Sequence, residues 1–416
     1  MAGAPLDAEQ ESKAMRRKWT CMPANARRTA PAAIALLVCA LLLSGCWNTR
    51  EVNDLAIITA AGMDLTEDGQ IELSVKIYLT SPSSGDSGSM SGQPDGDKGT
   101  SVVRSVTGIN VADAASRLQK EVSRRVFWGQ TDAFLFGERM ARAGLEEPMD
   151  FLMRHIASRE RAHVFVSNTT AKDVLLLAPP IDRSVADALI AMAEQQTGLN
   201  ITMKDLAQMM ISKSKAAVLP IVVIREGHGE QQSFPYIQGV SVIKNGKMIG
   251  RMEEDATRGV MWLRNEIKQA TVTVSPDRSG GYVSLHLHRS HTRLLPKIED
   301  GRWIMTVRIT GQDDVVENTT MLDLSEPDHI GKVEKELEEI VNDRVKLALD
   351  LAQNEFKADI FQFADAFHRK YPKIWKANED RWDEIFPKVE VRMETNLRIA
   401  RPGLVGKNFF KKEPQR

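Results

Sequence analysis

All three cysteines of this 416-residue chain, Cys21, Cys39 and Cys46, lie within its first 46 residues. The rest of the chain therefore has no disulfide, no thiolate nucleophile and no cysteine-based zinc site. It must be stabilised by packed apolar cores, and its 42% hydrophobic content suffices for two or three domains. Because 55 basic residues are balanced by 56 acidic ones, nucleic acid is not expected as a partner.

The last cysteine ends the sequence Leu43-Ser44-Gly45-Cys46, which follows a cluster of arginines and an apolar run. Those parts are typical of a secretory signal, and small residues before the cysteine suit a lipoprotein signal peptidase. The apolar core from Pro31 to Leu43 is shorter than the roughly 20 residues that span a bilayer, which disfavours the alternative of a permanent membrane helix. Residues 1–45 are thus predicted to be a signal peptide cleaved after Gly45. Cys46 is predicted to carry S-diacylglycerol and N-palmitoyl groups.

Strand and helix patterns alternate over residues 46–225, which we predict to form an N-terminal domain. An apolar run over 55–63 and an alternating run over 71–79 predict two strands joined by a turn at Asp68-Gly69. Helical patterns follow at 111–122, 140–155, 185–193 and 206–212, and strands at 126–136, 163–166 and 218–224. This alternation predicts a mixed sheet covered by helices.

A polar segment over 225–233 marks a boundary, and residues 234–402 are predicted to form a C-terminal domain. Asn245-Gly246 predicts a hairpin between 237–243 and 248–252. A helix is expected at 257–267, and strands at 270–274, 282–288, 303–309 and 389–399. Apolar residues recur at three- and four-residue steps from Val333 to Phe356 and predict a long amphipathic helix on the sheet, or alternatively against a partner or membrane. The predicted fold class is multi-domain α+β, with mixed sheets each covered by helices.

Residues 81–100 are almost entirely Ser, Gly, Asp and Pro, which predicts an exposed flexible loop. Within it, Gly85-Asp86-Ser87-Gly88 matches the sequence around the nucleophile of chymotrypsin-like proteases. Those enzymes place their histidine before the serine, whereas the first histidine here is His155, so we interpret the match as chance. The loop is expected to be a tolerated insertion, with a part in signalling as the alternative.

The candidate metal ligands are His286, His288 and His291, the one dense histidine cluster of the sequence. On a strand the first two share a face, as metal ligands do. No acidic or cysteine ligand accompanies them at a familiar spacing, so surface histidines are the preferred interpretation. Glycine-rich phosphate motifs are also absent from the sequence. We therefore predict no catalytic residue, no metal and no cofactor apart from the lipid on Cys46.

The sequence after Cys46 resembles a known family. Residues 46–57 (CWNTREVNDLAI) and Gly62-Met63-Asp64 are similar to the opening signature of the Ger(x)C lipoproteins, the C subunits of the nutrient germinant receptors of bacterial endospores. Further matches lie at 127–130, 137–141, 150–154, 359–364, 371–375 and 382–387. Gln130 and Ala364 depart from the family pattern, which has histidine and glycine there.

This resemblance implies a lipoprotein anchored on the outer face of the spore inner membrane, and not an enzyme. It implies assembly with a membrane-embedded A subunit and a transporter-like B subunit, which would be the better candidate for holding the nutrient. Such receptors respond to amino acids, sugars or nucleosides by releasing ions and then dipicolinic acid with calcium. The alternative is a solute-binding lipoprotein of a transport system, which would have two similar lobes. The chain shows no internal repeat of that kind.

Overall fold

The computed structural model describes residues 54–78, 101–154, 159–179, 181–195, 198–227, 233–276 and 280–403. Four predicted features lie outside these residues: Gly45, Cys46, the 81–100 loop with its Gly-Asp-Ser-Gly sequence, and His155. Within the described ranges, no helix combines the length and the apolar character needed to cross a membrane.

A nine-stranded mixed sheet organises the first part of the chain, in the order β3-β2-β1-β5-β6-β7-β8-β9, with β4 also paired to β1. Its strands are β1 (Leu55–Leu65), β2 (Ile71–Tyr78), β3 (Ser101–Gly108), β4 (Arg125–Phe127), β5 (Ala133–Gly137), β6 (His163–Ser167), β7 (Ala216–Arg225), β8 (Phe234–Lys244) and β9 (Lys247–Met252). The central strands β1, β5, β6 and β7 pair in parallel and the outer ones antiparallel. Central strands of this kind are covered on both faces, which explains the continuous apolar run of β1.

Helices cover both faces of this sheet. One face packs against α1 (Val111–Glu121), α2 (Glu138–Ala143), α3 (Glu146–Arg154) and α6 (Met203–Ile211). The other face packs against α4 (Ala171–Leu175) and α5 (Val185–Glu194). In α1 the buried residues Val111, Ala114 and Leu118 recur at steps of three and four, as expected for one apolar stripe.

A second, four-stranded sheet has the order β10 (Thr271–Val274), β11 (Val283–Glu299), β12 (Arg302–Asn318) and β13 (Glu390–Arg401). Strands β12 and β13 are parallel, whereas the other pairs are antiparallel. The long helix α8 (Pro327–Asp350) lies on one face and buries Val333, Leu337, Val341 and Val345. It confirms the predicted long amphipathic helix of the C-terminal part.

Two close contacts fix the position of α8. Gly259 of α7 (Glu254–Leu263) lies so close to α8 that an added Cβ would be 2.0 Å from the carbonyl oxygen of Arg344. At its C-terminal end α8 continues into a π-helical turn, Leu351–Glu355, in which the Gln353 amide donates to the carbonyl oxygens of Phe386 and Val389. The turn therefore holds the segment that leads into β13.

The chain between α8 and β13 forms short helices around an aromatic cluster. The helices are α9 (Phe363–Lys370), α10 (Pro372–Lys376) and α11 (Trp382–Ile385). Trp303 of β12 contacts Phe367, Trp375 and Trp382 edge-on, with ring centroids 4.8–6.5 Å apart. This cluster attaches the short helices to the second sheet.

The predicted α+β class is confirmed, but some predicted elements are wrong. The strand expected at 126–136 is two strands, β4 and β5, because a turn in which Thr131 N–H donates to the Trp128 carbonyl separates them. The helix expected at 140–155 ends at Gly144, whose φ of 149° suits glycine alone, and a second helix follows. Strands β11 and β12 have 17 residues each, far longer than predicted, and are joined at Asp300-Gly301.

The nine-stranded sheet includes strands from both sides of the predicted domain boundary. Strand β7 lies before the 225–233 segment, and β8 and β9 lie after it. Strands β7 and β8 pair over most of their length. The division into domains 46–225 and 234–402 stays a prediction. In the structure, all strands up to β9 belong to the first sheet and all later strands to the second.

Candidate functional site

The segment that follows the predicted anchor enters the centre of the first sheet. Strand β1, which begins at Leu55, pairs with β2 on one side and with β4 and β5 on the other. Its residues Ile58, Ala60 and Ala61 are fully buried. A lipid attached nine positions before Leu55 would therefore lie close in sequence to a buried central strand of the sheet.

Asp64, in the Gly62-Met63-Asp64 signature at the end of β1, is a buried carboxylate. It accepts the main-chain N–H groups of Ala171 at 2.7 Å and Lys172 at 3.1 Å, at the start of α4. Burial raises the pKa of Asp64, and these two hydrogen bonds oppose that rise. Gly137 lies so close that a Cβ there would be 2.0 Å from Asp64 Oδ1. The signature therefore joins β1, β5 and α4.

Asp359 plays the same structural part in the closing region. Its carboxylate accepts the main-chain N–H groups of Phe361, Phe363 and Ala364 at 3.3, 3.0 and 2.7 Å. It also accepts the indole N–H of Trp382 at 3.1 Å. Complete burial raises the pKa of Asp359 to about 6 despite these four donors.

The two departures from the family pattern fit their surroundings. Ala364 contributes its main-chain N–H to Asp359, and any residue other than proline supplies that donor. Gln130 accepts a hydrogen bond from Arg159 at 2.6 Å through its amide oxygen. Arg159 also pairs with Asp132 at 2.8 Å. Ala364 and Gln130 therefore both make hydrogen bonds to neighbouring residues.

The three candidate metal ligands lie along β11 and do not converge. His288 and His291 are exposed, whereas His286 is half-buried and lies 3.5 Å from Thr271 Oγ1. Arg293 Nε donates to His291 Nε2 at 3.2 Å. Throughout the ranges given above, the structure groups no three His, Cys, Asp or Glu side chains in a way that could hold a metal ion.

Comparison with known proteins gives two family models that match successive parts of the chain. The model of the spore germination protein N-terminal domain matches residues 48–224, and the B3/GerAC-like C-terminal model of spore germination proteins matches residues 238–403. The two matches meet close to the 225–233 segment.

Individual relatives agree over nearly their whole lengths. The chain is 28% identical to spore germination protein KC of Bacillus subtilis (strain 168), covering 89% of this chain and 95% of that protein. It is 22% identical to spore germination protein B3 of the same organism, with coverages of 88% and 96%.

A solved structure shows the same fold. The crystal structure of the GerBC protein has a TM-score of 0.54 at 17% identity, covering 82% of this chain and 96% of that one. The resemblance to the Ger(x)C proteins is thereby confirmed. The members of this family are not known as enzymes. The chain belongs to the GerAC family of spore germination proteins and has both the N-terminal and the C-terminal domain of that family.

Proposed function

We propose that this protein is the lipid-anchored C subunit of a nutrient germinant receptor, required for nutrient-triggered germination. The observation that carries the proposal is the match of both germination-protein domains, and the sequence directly before them is the predicted lipoprotein signal that ends at Cys46. The expected location is the outer face of the spore inner membrane. The expected partners are the membrane-embedded A and B subunits.

A lipid anchor suits this role for a physical reason. Burial of each acyl methylene contributes roughly 0.8 kcal/mol, so one chain binds a bilayer marginally and two or more hold stably. A diacylated Cys46 supplies at least two chains. Tethering at this residue makes encounters with membrane-bound partners effectively intramolecular, so modest protein contacts suffice for assembly.

The alternative of a solute-binding lipoprotein finds no support in the fold. Such a protein would have two similar lobes, whereas the two sheets here have nine and four strands and different orders. Tight binding of a nutrient solute by a protein that does not co-purify with germination subunits would favour the alternative. Co-purification with two polytopic membrane proteins from spore membranes would favour the receptor subunit.

Two substitutions of cysteine test the anchor. Cys46→Ala removes the lipid acceptor, and Cys39→Ala is the matched control because it lies in the apolar core of the same signal. We expect the first variant to lack lipid, to fold and to germinate slowly with nutrients, and the second to behave as the unchanged protein. Wild-type lipid content or wild-type germination in Cys46→Ala spores would contradict the proposal.

A second variant separates lipid loss from an uncleaved signal. Residues 1–46 are replaced by a secretory signal that ordinary signal peptidase cleaves, so that an exported body without lipid remains. We expect this body in the soluble fraction after spore lysis and at reduced abundance beside the A and B subunits. Its retention on membranes at the unmodified level would count against a lipid tether.

A further inference from the structure

One face of the second sheet is not covered by α8. Leu397 of β13 is fully buried in the same core as Val333 and Leu337 of α8. Gly311 of β12 shares that side of the sheet, because a Cβ there would be 2.7 Å from Leu397 Cδ2. The neighbouring residues along each strand therefore point to the opposite side. We call that side the open face. It presents Arg289 and His291 of β11, Thr310 and Gln312 of β12, and Asn396 and Arg398 of β13.

These six residues are brought together by strand register. Gln312 lies opposite Arg289 on one side and Arg398 on the other, and Thr310 lies opposite His291 and Asn396 in the same way. They line a groove of about 300 Å³, to which Ser290 and the backbone of Gly311 also contribute. Among the residues that the structure describes, none with a carboxylate lines this groove. Its side chains are rich in hydrogen-bond donors and carry positive charge.

The arginines of the open face differ in whether they form an ion pair with a carboxylate. Arg308 pairs with Glu394 at 2.7 Å, Arg392 with Glu390 at 2.7 Å, and Arg398 with Glu334 at 2.6 Å. For Arg289, the described ranges contain no carboxylate within ion-pair distance and no hydrogen-bond acceptor. Arg289 is thus the positive charge in the groove that remains available to a ligand.

The amide side chains beside Arg289 are also available. Neither Gln312 nor Asn396 makes a side-chain hydrogen bond to any residue that the structure describes. In contrast, the Ser290 hydroxyl donates to the Ile267 carbonyl, and the Thr310 hydroxyl donates to the His291 carbonyl. One guanidinium and two amides therefore converge on the groove with their donors unused.

A β-bulge accompanies this arrangement. The register shifts between Leu287 and Arg289, so that His288 is the extra residue directly before Arg289. A bulge bends its strand and changes the direction of the following side chains, and bulges are concentrated next to binding and catalytic sites. Here the bulge sets the register that places Arg289 opposite Gln312.

We propose that this groove binds a small soluble oxyanion, a compound bearing carboxylate or phosphate groups. The planar guanidinium of Arg289 supplies two parallel N–H donors to two oxygens of the ligand. The amides of Gln312 and Asn396 donate to the remaining oxygens. The groove lies at the small end of the size range for metabolite sites, which fits a compact ligand. This inference goes beyond the receptor role and does not depend on the lipid anchor.

Calorimetric titration of the full purified protein tests the proposal. Citrate and inorganic phosphate are the two probes, and choline chloride at equal ionic strength is the control for salt effects. We expect saturable one-site binding of citrate, of phosphate or of both. Arg289→Gln should weaken this binding by roughly tenfold or more. Arg289→Lys should weaken it by less, because lysine keeps the positive charge but lacks the two parallel N–H donors of the guanidinium.

Arg139→Gln is the matched control, because Arg139 is an exposed arginine on α2 whose ion pair with Glu67 is long at 3.8 Å. It should bind the anions as the unchanged protein does, and equal melting temperatures of all variants would exclude a folding defect. Absence of saturable binding of both anions, or equal binding by Arg289→Gln, would overturn the proposal. Arg289-dependent binding confined to phosphatidylglycerol vesicles would assign the open face to lipid and overturn it as well.

Discussion

The Glu338 carboxylate of α8 accepts the main-chain N–H of Leu397 in β13 at 3.0 Å. On either side of this contact, Glu334 accepts the N–H of Ile399 at 2.8 Å, and Asn342 accepts the hydroxyl of Thr395 at 2.6 Å. We call these three contacts the ladder. Four residues of an α-helix rise about 6 Å and two residues of a strand rise about 6.6 Å, so contacts that repeat at these intervals remain aligned along both elements. Side chains of the helix thereby cover the free edge of β13, which would otherwise be open to another strand.

Loss of one ladder contact should destabilise the protein measurably. Glu338→Ala leaves the Leu397 N–H without its partner, so we expect the free energy of unfolding to fall by about 1–3 kcal/mol. Glu338→Gln keeps an acceptor oxygen and should cost less. Urea unfolding measures both. Glu339→Ala, at an exposed neighbouring position, is the control with little expected effect, and an equal loss there would refute the special role of Glu338.

Asp359 should make stability depend on pH. Its pKa is raised by burial from 3.8 to about 6. Between these two pH values, the folded protein retains a proton that the unfolded chain releases. This stabilisation is fully present below about pH 4 and is lost as pH rises through about 6. Asp359→Asn lacks it. Between pH 4.5 and 7 the unchanged protein should lose about 2 kcal/mol more than the variant.

Trp382→Phe provides an independent variant for the same carboxyl. It removes the indole donor, which favours the ionised form, and should therefore move the pKa of Asp359 further upward. The window of declining stability would then extend to higher pH. Chemical denaturation across pH 4–8 measures the shift. Superimposable profiles of stability against pH for Trp382→Phe and the unchanged protein would show that the indole donor does not affect the pKa of Asp359.

Asp313 should be a source of instability at neutral pH. Burial, followed by the nearby charge of Asp314, raises the pKa of Asp313 to about 6, and its Oδ2 has no hydrogen-bond partner among the described residues. Asp313→Asn removes the charge, so the unfolding free energy at pH 7 should increase by about 1–2 kcal/mol and change little near pH 4. Thermal unfolding at the two pH values checks this. A loss of stability at pH 7 would show that the charge is needed.

The contact between α7 and α8 predicts opposite effects for two glycines. Gly259→Ala places a methyl group 2.0 Å from the Arg344 carbonyl oxygen, so we expect a loss of about 1–3 kcal/mol as the helices move apart. Gly331→Ala, in α8, meets nothing within 4 Å and should stabilise the helix by about 0.5–1 kcal/mol. Urea midpoints of the two variants should therefore lie on opposite sides of the unchanged protein. A common direction would disprove the close approach at Gly259.

Local signals predicted much of the fold. The apolar periods located β1, β2, α1 and α8, and Asn245-Gly246 correctly indicated the β8–β9 turn, where both residues have positive φ of 49° and 73°. Asp300-Gly301 carries the same kind of signal, with φ of 51° and 77°, and joins β11 to β12, whereas the apolar patterns alone predict two shorter strands at 282–288 and 303–309. The signal was present in the sequence.

Other features depend on contacts between distant residues and had no local signal. The parallel pairing of β12 with β13 joins segments separated by α8 and three short helices. The open face and its groove follow from that pairing, so no spacing in the sequence indicates that Arg289, Gln312 and Asn396 meet. The roles of Asp64 and Asp359 were equally hidden, because most of their partners are main-chain N–H groups, which every residue except proline has. The anchor, in contrast, is predicted from local signals alone, namely four adjacent residues that follow an arginine cluster and an apolar run.

Intact-mass and peptide mass spectrometry of the protein isolated from spore inner membranes determines whether Cys46 carries the proposed lipid. We predict a mature chain that begins at Cys46 and carries a diacylglycerol group on that cysteine. A chain that retains residues before Cys46, or that begins at Cys46 without any lipid, would contradict this prediction.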